Sequence, residues 1–203
     1  MGKFKWYARF ALEPALKLTE GGFHTGHNLS LFGGFGDSAP DRWGRMLMRR
    51  FEAAKAKEKN RLPSTLLAID YLLGVNDEAR QGALRFSIAP DEDVFLSPKQ
   101  KTSIPPPVDL PKLLSATERL IADHESIEDL RLLLAPGSSL GGARPKASIR
   151  DVDGSLAIAK FQRKDDEFNV VVWEAVTLTL AEKAGIRVPK HRLAKILGKS
   201  VLI

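Results

Sequence analysis

Cysteine is missing altogether from the 203 residues. That excludes a disulfide framework and any thiolate metal site, and it suits a reducing compartment. Aromatic residues are scarce, at 7%. No apolar run reaches the roughly 18 residues that a membrane span requires. Residues 1–14 interleave Lys3, Lys5 and Arg9 with apolar side chains, so they lack the uninterrupted core of a signal peptide. Histidine is limited to four positions. His24 and His27 are three apart, but glycines at 21, 22 and 26 disfavour the helix on which that spacing could ligate a metal, and His124 suits a helix end. No metal site is expected. No Ser/His/Asp set, heptad or internal repeat stands out. A net charge of +6 admits an acidic or nucleic-acid partner without requiring one.

What is present reads as an α+β chain. Phe4, Trp6, Ala8 and Phe10 alternate with polar residues, so the first 35 residues are expected to hold strands. Ser38-Ala39-Pro40-Asp41 predicts a helix start, with Ser38 as cap and Asp41 at the capping-box position. Trp43, Leu47, Phe51 and Ala54 then form a core stripe. Arg42, Arg45, Arg49 and Arg50, followed by Lys55, Lys57, Lys59 and Arg61, make the densest positive stretch. It could face DNA phosphates, an acidic partner or solvent. Pro63-Ser64 predicts a short helix closed by Gly74, and 81–87 reads as a strand. The division expected is an N-terminal strand/helix subdomain over 1–90, a Pro-rich linker over 91–108 and a second part over 109–203. In the latter, Asp109 and Ser126 open two successive helices.

The second helix runs into the stretch on which the chain is organised, Pro136-Gly137-Ser138-Ser139-Leu140-Gly141-Gly142-Ala143-Arg144-Pro145-Lys146. Glycines let backbone N–H groups approach an anion, although a Gly/Ser cluster also serves as a plain connector. A Walker A loop would enter a helix at its lysine, which Pro145 opposes. Asp153-Gly154 instead predicts a hairpin. Its second strand ends in Lys160-Phe161, where a lysine within an apolar run calls for an anionic partner. The next helix, stopped by Gly185 and Pro189, supplies Glu174 on its non-solvent side, either as that partner or as an acid in the first turns. Glycine loop, strand lysine, helix glutamate is the order in which protein kinases hold nucleotide phosphates.

In these residues the chain resembles the HipA-type serine/threonine kinases, the toxins of bacterial toxin–antitoxin pairs. Ser139-Leu140-Gly141-Gly142-Ala143-Arg144-Pro145-Lys146 matches the Ser-x-x-Gly-Ala-x-x-Lys loop of the family, and 156–161 its lysine strand. Trp173-Glu174, Gly185 and Val188-Pro189 match its next helix and exit. Phe35-Gly36-Asp37-Ser38-Ala39-Pro40-Asp41-Arg42 fits its N-terminal subdomain. The resemblance implies the N-lobe-like part of a kinase fold that uses ATP and Mg²⁺. The backbone of Leu140, Gly141, Gly142 and Ala143 would cover the phosphates, Lys160 would hold them and Glu174 would orient Lys160. Ser139 would be autophosphorylated, with Ser138 a neighbouring candidate. It further implies a protein substrate such as glutamyl-tRNA synthetase, a HipB-like helix-turn-helix antitoxin through which DNA is bound indirectly, and a cytoplasmic location. The aspartates that serve the family as base and metal ligand are expected beyond Ile203, so the chain reads as a fragment that is inactive alone. The competing expectation is a non-catalytic module that binds a kinase lobe, an antitoxin or DNA.

Overall fold

The computed structural model describes residues 11–19, 21–26, 28–89, 95–96, 104 and 109–203. The alternating stretch at 4–10, His27 and most of 91–108 lie outside the described residues. Within them the chain is α+β, with six helices and one four-stranded antiparallel sheet. The helices are α1 (Gly33–Gly36), α2 (Arg42–Glu58), α3 (Ala68–Leu73), α4 (Leu110–Ile121), α5 (Ile127–Gly137) and α6 (Val170–Lys183). The strands are β1 (Lys146–Arg150), β2 (Leu156–Phe161), β3 (Leu193–Ile196) and β4 (Lys199–Leu202), in the order β1-β2-β4-β3.

The sheet separates two layers. Alternation along the strands sends Ala147, Ile149, Ala159, Phe161 and Val201 to one face, into a core shared with α2, α3, α4 and α5. Leu202 faces the other way and meets Val171 and Ala175 of α6. Side chains from either side of 91–108 therefore share one core, with Trp43, Leu47 and Val75 against Leu113, Leu133 and Phe161.

Two glycines set how α2 lies on α5. A Cβ on Gly44 would stand 2.4 Å from the Ser138 carbonyl oxygen and 2.7 Å from Pro40 Cβ. One on Gly137 would stand 2.6 Å from Leu47 Cδ1. The first turn of α2 is thus pressed against the chain where α5 gives way to the glycine loop. At its other end, α5 is opened by a reciprocal cap. Ser126 Oγ accepts from the Asp129 N–H at 3.1 Å, while the Ser126 N–H donates to Asp129 Oδ2 at 2.9 Å.

Four expectations change. The first concerns α2, which starts at Arg42 with Asp41, not Ser38, in the cap position. Described residues 11–35 form turns and the short helix α1, with no strand among them. Residues 81–87 add no strand to the sheet, and only Ser87 makes an isolated bridge, with Phe95. The backbone before them is held by a side chain instead of a ladder, because the buried Arg80 guanidinium donates to the carbonyls of Leu72 at 2.9 Å and Ser38 at 3.3 Å. The helix expected from Pro63-Ser64 starts at Ala68, since the Ser64 N–H is drawn to Glu52 Oε1 of α2 at 2.8 Å and Asp70 Oδ2 takes the Leu67 N–H at 2.8 Å.

Candidate functional site

The glycine loop is fastened at four points, all of them polar. Gly142 has φ +77°, a conformation that favours glycine. Its carbonyl accepts from the Trp43 N–H at 2.9 Å. Its own N–H donates to Asp41 Oδ2 at 2.9 Å. The Trp43 indole Nε1 donates to the Lys146 carbonyl at 2.9 Å, and Lys146 Nζ returns to the Gly141 carbonyl at 2.5 Å. Asp41 is the residue before the first turn of α2, yet its carboxylate makes no cap hydrogen bond to that helix. It is spent on the loop. The Gly142 N–H holds the Asp41 carboxyl below its ordinary range.

The hairpin carries the loop's lysine to a second lysine. Lys146 of β1 and Lys160 of β2 are direct cross-strand partners, so both side chains rise from one face of the sheet. Like charges placed opposite each other destabilise a sheet. Each lysine has its own compensation. Lys160 forms an ion pair with Glu174 of α6, and Lys146 has the Gly141 carbonyl. Burial pushes the Lys146 ammonium below its ordinary pKa, and the charge of Lys160 adds to the effect. Side chains of Lys160 and Glu174 remain 37% and 35% exposed. A pair that open to water contributes on the order of 1 kcal/mol or less. Its consequence is positional, since it aims an ammonium into the cleft beside it. That cleft, of about 770 Å³, is lined by Lys160 and Glu174 together with Leu156, Ile158, Leu202 and His191.

The residues singled out from the sequence are distributed unevenly. Gly142 and Ala143 are exposed, Gly141 is half-buried, and Leu140 turns inward at 2% exposure. Lys160 and Glu174 meet. Ser138 and Ser139 are 0% and 5% exposed, and neither hydroxyl has a hydrogen-bond partner. Asp41, Trp43 and Lys146 have other expected places: Asp41 at a capping box, Trp43 in a core stripe and Lys146 at the end of the loop motif. Lys146 had a legible signal, because the Asp153-Gly154 turn fixes the register that sets it opposite Lys160. Asp41 and Trp43 reach the loop across about 100 residues of chain, and no local pattern announces that.

Part of the basic stretch is turned to internal use, while Arg42, Arg49, Lys55, Lys57 and Lys59 are exposed. Arg50 donates to Glu125 at 2.7 Å and pairs with Asp123, Arg61 pairs with Glu52, and Arg45 donates to the Pro40 carbonyl at 2.8 Å while lying over the Tyr71 ring. Among the described residues no group of three or more His, Asp or Glu could hold a metal ion, and no helix is long and apolar enough to cross a membrane.

Residues 138–203 match the HipA-like C-terminal domain. The match supports a HipA-family relationship. It begins at the loop serines and takes in both lysines, α6 and the whole sheet, about a third of the chain. No curated protein and no solved structure matches the chain.

Proposed function

We propose that this chain carries the nucleotide-phosphate-binding part of a HipA-like serine/threonine kinase. The observation that carries the reading is the Lys160–Glu174 pair set beside a glycine loop and a second lysine, within the stretch that matches the HipA-like domain. The residues present fit ATP. Leu156, Ile158 and Leu202 offer an apolar wall for the base, and Lys160 and Lys146 offer two ammonium groups to the phosphates. Glu174 orients Lys160 without touching nucleotide. The loop backbone around Gly142 covers the phosphates. Magnesium would arrive with the nucleotide, bound by its phosphates, and would neutralise their charge during transfer.

In this reading the acceptor is a Ser or Thr of a protein, as with glutamyl-tRNA synthetase in the family, and a HipB-like antitoxin is the partner that brings DNA. Ser139 is the site of autophosphorylation. A dianionic phosphate has no room at a buried, unsolvated position, so modification would require the loop to leave Trp43 and Asp41 and would remove the cover from the phosphates.

Calorimetric titration of ATP into the chain tests the reading. Lys160→Ala should weaken binding at least tenfold, since a charge-assisted contact is worth roughly 1.5–3 kcal/mol. Glu174→Gln should weaken it less. Equal affinity in the wild type and Lys160→Ala would favour the non-catalytic binding module instead.

A further inference from the structure

An N-terminal aspartate normally caps its own helix. Asp41 does not, and its carboxylate instead takes the one loop N–H shown to be aimed at an acidic oxygen. Around it the structure gathers what an anion would choose. Gly142, at φ +77°, presents its N–H; Lys146 is close enough for the Asp41 charge to act on it; and Lys160 stands opposite Lys146. Of the two lysines facing each other across the hairpin, Lys160 pairs with a helix carboxylate, Glu174 of α6. The second carboxylate of the group is Asp41, delivered from α2.

We propose that Asp41 is a resident stand-in for phosphate. Its carboxylate occupies the anion position of the glycine loop, and a nucleotide phosphate must displace it to bind. The proposal rests on the nucleotide reading of the site and names a regulation of that site. The loop does not depend on Asp41 for its place, because the Trp43 N–H and indole hold Gly142 and Lys146 independently. Nor does its carboxylate make a cap hydrogen bond to α2, although the adjacent Arg42 N–H also helps to lower its pKa. Asp41 therefore acts as a charge-selective gate. An anion of higher charge than a carboxylate wins the Gly142 N–H, and weak anions do not. Displacement also frees the segment before α2 from the loop, so occupancy of the site is felt at Pro40, whose carbonyl accepts from Arg45, and at Ser38, whose carbonyl accepts from Arg80.

The test compares wild type, Asp41→Asn and Lys160→Ala for binding of ATP and of inorganic tripolyphosphate. Asparagine keeps an acceptor for the Gly142 N–H and removes the charge. Asp41→Asn should bind both probes several-fold more tightly, roughly three- to tenfold, as expected for removing one like charge near a protein surface. The Gly142 amide resonance should move on binding in the wild type. If Lys160→Ala loses affinity while Asp41→Asn binds no better than wild type, the stand-in is wrong and the nucleotide reading survives. If Asp41→Asn binds tripolyphosphate more tightly while Lys160→Ala binds ATP as wild type does, anion competition stands and the nucleotide reading falls. Absence of binding by all three proteins overturns both. Should Asp41→Asn lose stability, Asp41→Glu keeps the charge and must not gain affinity; a gain there also overturns the proposal.

Discussion

Gly142 carries two constraints, and they differ in cost. A Cβ there would stand 2.8 Å from Lys146 Nζ, the far end of a flexible side chain that can move aside at the expense of its bond to the Gly141 carbonyl. The backbone conformation cannot be escaped so easily, since φ +77° costs an L-residue about 1–2 kcal/mol. Gly142→Ala should therefore lower stability by about that amount and weaken tripolyphosphate binding, because the lysine that moves is the one facing Lys160. Denaturant titration beside calorimetry checks both. Asp129 gives a pH dependence. The Arg119 guanidinium holds its carboxyl down at about 2, against an ordinary 3.8, and the Ser126 cap adds to this. The folded state thus binds this proton less readily than the unfolded one. The stability it brings is complete above about pH 5 and is lost as pH falls towards 2. Glu52, lowered to about 2 chiefly by Arg61, acts in the same direction. Urea midpoints should fall between pH 5 and pH 2.5, and Asp129→Asn should show a smaller fall than wild type.

Among elements, those with a local start or stop were legible. The cap of α5 lies in Ser126 and Asp129, the hairpin in Asp153-Gly154, and the end of α6 in Gly185 at φ +80°. Elements decided by distant partners were not. Ser64 looks like a helix cap until Glu52 claims its N–H, and 81–87 has the composition of a strand but, among the described residues, pairs only at its end with Phe95 and Leu96. The candidate site divides in the same way. Lys160 and Glu174 could be paired by following one strand into one helix. The role of Asp41 required knowing that α2 lies on the end of α5. That crossing makes its own prediction. Gly44→Ala must push α2 away from the Ser138 carbonyl and should cost about 1–3 kcal/mol, as overpacking does. It should also alter Trp43 fluorescence, because the indole loses its fixed acceptor at Lys146. Unchanged fluorescence would mean that the crossing and the loop are independent.

For the whole molecule, the question is whether the two parts read on either side of 91–108 behave as separate units. A shared core of Trp43, Leu47 and Val75 with Leu113, Leu133 and Phe161 argues for one cooperative unit. Far-ultraviolet circular dichroism and tryptophan fluorescence should then report one coincident unfolding transition. Two separated midpoints would support the division at 91–108. The fastening of the glycine loop by Asp41 and Trp43 bears on how the chain reaches this state. Those hydrogen bonds span 101 and 103 residues. Ring closure of that length is slow to form and exacts its entropy in advance. On a ribosome the partners emerge far apart in time, so the hairpin and α5 can be complete while the loop between them still swings free. The fastened loop is then a late product of folding, and its closure reports that α2 and the end of α5 have already met.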